Sequence, residues 1–211
     1  MRQNILSLGG FIMSNFFSES GFVKAPNLID HQTIKTISQY FENKISRGEW
    51  VETCQNDFQA SKLQYYADPL IEVLLVNCTS EIEKHTGLEL LPTYSFSRVY
   101  QGGEELIPHI DRPSCEISVT INVACTGETW PIWMQYEDKD PVKCMLNPGD
   151  AVIYKGCEVT HWRRKLPEGQ INVQFMLHYV NKNGEFNDYK FDKRTKLGKN
   201  SIHKEKNNAN R

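Results

Sequence analysis

After Pro92 the side-chain period of this chain becomes two, and it stays two as far as about Val180. Eight short runs carry the alternation: Thr93–Tyr100, Glu105–Asp111, Glu116–Ala124, Ile132–Tyr136, Val142–Leu146, Ala151–Tyr154, Glu158–His161 and Gln170–Val180. Turn signals separate them, among them Gly102-Gly103, Arg112-Pro113-Ser114, Thr126-Gly127-Glu128, Asn147-Pro148-Gly149-Asp150 and Pro167-Glu168-Gly169. In a strand, successive side chains face opposite sides, so each run can bury one face. Short strands at this spacing suit a closed or double-sheet antiparallel structure, and a jelly roll is the natural candidate.

Two helices are expected ahead of the strands. In Asp30–Arg47, Ile34, Ile37, Phe41 and Ile45 fall on one stripe, and Asp30 can cap the first turn. In the second, Asp68 caps, Pro69 suits the first helical position and Gly87 stops the helix, with Ile71, Leu74, Leu75, Cys78 and Ile82 facing inward. The fold class is therefore α+β, mainly β: a double-stranded β-helix braced from outside by N-terminal helices. Residues 1–16 are expected to be a flexible N-terminus, with Met1 or Met13 as the start. Residues 17–189 form one domain, with helical support over 28–88 and the jelly-roll core over 93–181. Residues 190–211, polar and basic, are expected to be a disordered tail.

A formal net charge of -2 argues against a polyanionic partner, so nucleic acid is not expected. No window approaches the roughly 18 apolar residues of a membrane span, and the N-terminus lacks a signal-peptide h-region. The six cysteines form no CxxC pair, which favours free thiols in a reducing compartment, hence the cytoplasm. The sequence leaves the oligomeric state open.

The chemistry sits in Leu106-Ile107-Pro108-His109-Ile110-Asp111. At i and i+2 of a strand, His109 and Asp111 offer an imidazole and a carboxylate to one point. The third ligand must come from another strand, and His161, downstream of the Pro-Gly-Asp turn, can supply it. Two imidazoles and a carboxylate leave one octahedral face open, which suits Fe(II) oxygen chemistry, whereas a structural zinc site closes its coordination sphere. Taken singly, His161 reads as an ordinary structural histidine; the combination carries the metal reading. His178 is the rival third ligand, but its mid-strand place in an apolar run suits packing. Core packing also accounts for Trp130, Trp133, Trp162, Tyr65 and Tyr66.

From about Ser97 to Val180 the chain resembles the core of 2-oxoglutarate/Fe(II) oxygenases, in particular the prolyl 4-hydroxylase-like branch. Arg98-Val99-Tyr100-Gln101-Gly102-Gly103 is similar to the family's opening strand, and the His109-Ile110-Asp111 pair follows. Ile117-Ser118-Val119-Thr120-Ile121-Asn122 and Pro148-Gly149-Asp150-Ala151-Val152-Ile153-Tyr154 then lead to His161. The resemblance implies Fe(II) on His109, Asp111 and His161, with 2-oxoglutarate as co-substrate and O2 as oxidant. It implies hydroxylation of an unactivated C–H bond with release of succinate and CO2. Asp111 stands where halogenating relatives carry Gly or Ala, which favours hydroxylation. Tyr100 matches the family's carboxylate-contacting tyrosine.

One departure is plain. The family places Lys or Arg about ten residues after the distal histidine, and here that count reaches Gln170, Ile171 and Asn172. Arg98, on one strand face with Tyr100, is the first choice for the missing cation, ahead of Arg112, Arg163 and Arg164. Two rivals follow: a cupin-like metal enzyme that does not use 2-oxoglutarate, and a non-catalytic metal-binding sensor module. Substrates of either kind, a small metabolite or a peptide or protein side chain, are compatible with the sequence.

Overall fold

A computed structural model describes residues 16–49, 51–52 and 63–198. The expectations for residues 1–15, for Cys54 and for 199–211 fall outside them. The elements in chain order are β1 (Phe22–Ala25), α1 (His31–Ser46), β2 (Val51–Glu52), β3 (Leu63–Tyr66), α2 (Pro69–Thr86), β4 (Leu90–Gln101), β5 (Leu106–His109), β6 (Ile117–Cys125), β7 (Ile132–Tyr136), β8 (Val142–Cys144), β9 (Ala151–Lys155), β10 (Val159–Arg163) and β11 (Ile171–Asn181). One sheet runs β1-β9-β6-β11-β4-β3-β2 and a second runs β5-β10-β7-β8. The fold is a jelly roll, and all eight expected strands are present. The sequence did not announce β1, β2 or β3, which extend the larger sheet at its two edges.

Both helices form where their caps lie. The Asp30 side chain accepts from the Thr33 amide at 3.0 Å, and Asp68 accepts from the Leu70 and Ile71 amides at 3.0 and 3.3 Å. Gly87 ends α2 at φ 73°, a left-handed conformation that suits glycine.

The alternation of the large sheet divides its work. Val119, Ile121 and Val123 of β6, and Phe175, Leu177 and Tyr179 of β11, pack with Ile34, Ile37 and Phe41 of α1 and Ile71, Leu75 and Ile82 of α2. Each such side chain, fully buried, stabilises by roughly 1.5–3 kcal/mol. The opposite side chains, Ser118 and Thr120 of β6 with Gln174, Met176 and His178 of β11, face the space between the sheets. Ile45 and Leu74 depart from the expected stripes: Ile45 is exposed and Leu74 only partly covered.

The described part of the expected disordered tail, residues 190–198, is ordered. Residues 190–198 pack onto the body, where the Arg194 guanidinium, 4% exposed, pairs with the buried Glu72 carboxylate and donates to the Thr93 carbonyl at 2.9 Å. A composition poor in apolar residues hides such a segment: Leu197 packs against the core, and a buried ion pair supplies much of the remaining hold. Among the described residues no helix is long and apolar enough to cross a membrane.

Candidate metal centre

The smaller sheet sets two imidazoles side by side. β5 and β10 pair antiparallel with His109 opposite His161, and the two rings lie 4.2 Å apart. β5 ends at His109, so Asp111 stands two residues beyond the strand and not on it as the i, i+2 reading expected. The Asp111 amide donates to the Gly156 carbonyl at 2.8 Å, which turns its carboxylate toward the histidines. Asp111 Oδ1 lies 3.7 Å from His109 Nε2 and 3.6 Å from His161 Nε2. The donor atoms of the three residues lie within 4.8 Å of one another.

Hydrogen bonds behind the ligands fix their roles. His109 Nδ1 lies 2.9 Å from the Ile107 carbonyl and His161 Nδ1 lies 3.0 Å from the Val159 carbonyl. A carbonyl can only accept, so both Nδ1 atoms carry the proton and both Nε2 lone pairs face the shared point. Ser118 Oγ donates to Asp111 Oδ2 at 2.8 Å, leaving Oδ1 for a metal. Burial lowers the basicity of His161, which keeps its imidazole neutral and able to coordinate.

A second grouping, Asp111, Cys115 and His178, lies alongside and shares the carboxylate. It suits a metal less well, because burial pushes the Cys115 thiol up, away from thiolate. His178 Nδ1 is engaged with Ser118 Oγ at 3.0 Å, so the rival third ligand supports Asp111 through that serine. Neither grouping includes a glutamate, the donor that a cupin-like set calls for.

The three ligands open into a cavity of about 480 Å³. β4 lines it with Tyr94, Phe96, Arg98 and Tyr100, and β11 with Gln174, Met176 and His178. Arg98 and Tyr100 share the inner face as expected, with Arg98 Nη1 3.4 Å from Tyr100 Oη. Arg112 also lines the cavity but is already paired: it forms a bidentate contact with Asp192 at 2.9 and 3.0 Å. Arg164 lies over the Trp133 ring, which stacks on Trp162, and both rings are only partly covered; of the three tryptophans, Trp130 is the buried one.

Arg163 is the unexpected group. It is 2% exposed and donates to the Trp130 carbonyl at 2.6 Å and to Gln174 Oε1 at 2.8 Å, while its Nε has no partner. No carboxylate pairs with it among the described residues, and burial pulls its pKa down to about 10. An ion buried this way costs several kcal/mol unless an opposite charge arrives. The signal was present in the sequence: two residues after His161 on one strand, Arg163 must share its face.

The geometry defines a class: a jelly roll whose interior brings together two histidines and an aspartate that could hold a metal ion. No family model matches the chain, and no curated protein matches it. Among solved structures the fold recurs in 2-oxoglutarate/Fe(II) oxygenases. A prolyl-4-hydroxylase from Pseudomonas putida superposes with a TM-score of 0.66 at 12% identity, covering 82% of this chain and 98% of that one. A Trichoplax adhaerens prolyl hydroxylase, solved with a hypoxia inducible factor peptide fragment, gives 0.67 at 15% identity, covering 86% and 93%. An α-ketoglutarate-dependent epimerase from nogalamycin biosynthesis gives 0.69 at 9% identity, covering 83% and 84%. The chain shares the fold of these enzymes.

Proposed function

We propose that this chain is a non-haem Fe(II)- and 2-oxoglutarate-dependent oxygenase that hydroxylates an unactivated C–H bond. The observation that carries this reading is one cavity with an open-faced set of His109, Asp111 and His161 beside a buried guanidinium that lacks an anion. The donor set fits Fe(II), and the uncompensated Arg163 fits the far carboxylate of 2-oxoglutarate. When bound, iron and 2-oxoglutarate supply the oxidising chemistry: O2, 2-oxoglutarate and a C–H bond give succinate, CO2 and an alcohol.

The protein's own contribution is placement. His109, Asp111 and His161 would hold the metal, with Ile107, Val159 and Ser118 fixing the orientation of the three ligands. Tyr100, fully buried and in edge contact with Trp130, and Gln174 would meet the far carboxylate together with Arg163. This gives Arg163 the role for which the sequence put Arg98 first. It also weakens the sensor-module reading, which rested on the missing cation. Apolar walls from Phe96, Leu106, Ile132 and Met176 would keep water from the reacting atoms.

A peptide fragment accompanies one structural neighbour and small-metabolite biosynthesis describes another, so both substrate kinds remain compatible with this cavity. The free thiols among the described cysteines support the cytoplasm as the location. The test is turnover. Iron-loaded protein in air, with ascorbate supplying the two electrons that reduce the second oxygen atom to water, is expected to convert 2-oxoglutarate to succinate slowly without a primary substrate, and His161→Ala to abolish the conversion. No succinate from the wild-type protein would overturn the proposal.

A further inference from the structure

Arg98 is a second buried cation in the same cavity. It is 6% exposed, and no carboxylate pairs with it among the described residues. Among the described residues the one hydrogen bond of its side chain is the long one to Tyr100 Oη at 3.4 Å, and its guanidinium lies over the Phe96 ring at 5.0 Å. A guanidinium has five N–H donors, and those of Arg98 open into the cavity that it lines.

A count of charge shows what is left over, on the reading given under Proposed function. A divalent metal, the Asp111 carboxylate and a doubly negative co-substrate sum to one negative charge. Arg163 cancels it. Arg112 and Asp192 neutralise each other. Arg98 therefore faces the cavity as an uncancelled positive charge in a low-dielectric wall, where an unpaired ion is costly. We infer that the primary substrate carries a carboxylate and that Arg98 binds it.

The surroundings favour a carboxylate over a phosphate. A planar guanidinium fork matches a carboxylate in bidentate fashion. Phe96 and Met176 beside Arg98 are apolar, and its polar neighbours, Tyr100 and the Gln174 opposite it, are on this reading engaged by the co-substrate, which leaves a doubly charged phosphate no further donor. The role also separates the two arginines by place. Arg163 is tied to the cavity-lining Gln174 and sits beside the cavity, while Arg98 itself lines it.

The experiment uses the iron- and 2-oxoglutarate-loaded protein without oxygen, with propionate and propionamide as probes read by titration calorimetry. Wild type is expected to bind propionate and not propionamide. Arg98→Gln is expected to weaken propionate by about tenfold or more, the loss of one charge-assisted contact, and Arg98→Lys to restore part of it. Affinity for 2-oxoglutarate, measured separately, is expected to stay within about threefold in Arg98→Gln and to fall about tenfold or more in Arg163→Gln. Equal binding of the two probes, propionate binding that survives Arg98→Gln, or no propionate binding to wild type would overturn the inference. So would loss of 2-oxoglutarate affinity in Arg98→Gln but not in Arg163→Gln. A wild-type protein that binds no 2-oxoglutarate overturns the oxygenase reading, and this inference with it.

Discussion

At the scale of single residues, Asp111 is the most constrained side chain of the site, and two small neighbours hold it. Gly156 gives its carbonyl to the Asp111 amide, and a Cβ added at Gly156 would lie 2.0 Å from the Cys115 carbonyl and 2.8 Å from Asp111 Oδ2. Gly156→Ala is therefore expected to displace the carboxylate and abolish metal binding, with a loss of roughly 1–3 kcal/mol in a denaturant titration. Ser118→Ala is milder. It removes the 2.8 Å bond to Asp111 Oδ2, and calorimetry should read a metal affinity about 10–100-fold weaker with the fold intact. The sequence made His109, Asp111 and His161 legible, because ligand type and spacing are local facts. It did not reveal Gly156 or Ser118, whose roles exist only once β6 and the β9–β10 turn meet.

At the scale of elements, the eight strands were legible because a strand with one apolar and one polar face writes its period into the chain. β6 is the clearest case: Val119, Ile121 and Val123 go to the helices, Ser118 and Thr120 to the cavity. β3 carried no such mark, since Leu63–Tyr66 is only partly covered along its whole length. The segment after β11 was misread for a related reason. Phe191, Asp192 and Lys193 have φ of 56°, 55° and 59°, a left-handed run that costs of order 1 kcal/mol or more per residue. Polar contacts offset the strain: Asp192 with Arg112 and Tyr66, and Arg194 with Glu72. Arg194→Ala leaves the Glu72 carboxylate buried and unpaired, and an expected loss of about 3–5 kcal/mol should appear as a lowered thermal midpoint. Because Arg112 directly follows Asp111, the same variant is also expected to weaken metal binding.

For the molecule as a whole, the interior between the sheets is unusually rich in titratable groups, and this sets its response to acid. His178 is 5% exposed, and burial lowers its pKa from 6.5 to about 4. The unfolded chain then binds a proton that the folded chain refuses between these values, so stability falls as pH drops through that window. From pH 7 to pH 5 this single group is expected to cost the metal-free protein about 2 kcal/mol. Urea midpoints at the two pH values check it, with His178→Asn flattening the dependence. Charge bookkeeping on this scale is also what the sequence concealed. The strand period could rank Arg98 ahead of Arg112, Arg163 and Arg164, but only the folded chain separates a paired, a stacked and two uncompensated guanidiniums.

The central claim is that His109, Asp111 and His161 hold Fe(II) with room for 2-oxoglutarate to chelate it. The direct measurement is an anaerobic titration of 2-oxoglutarate into the iron-loaded protein, followed by the weak visible metal-to-ligand charge-transfer absorption. A saturable band in the wild type that disappears in His109→Ala and Asp111→Ala is the expected result. Iron binding without a band would contradict the claim, and would make the site a metal centre of another kind.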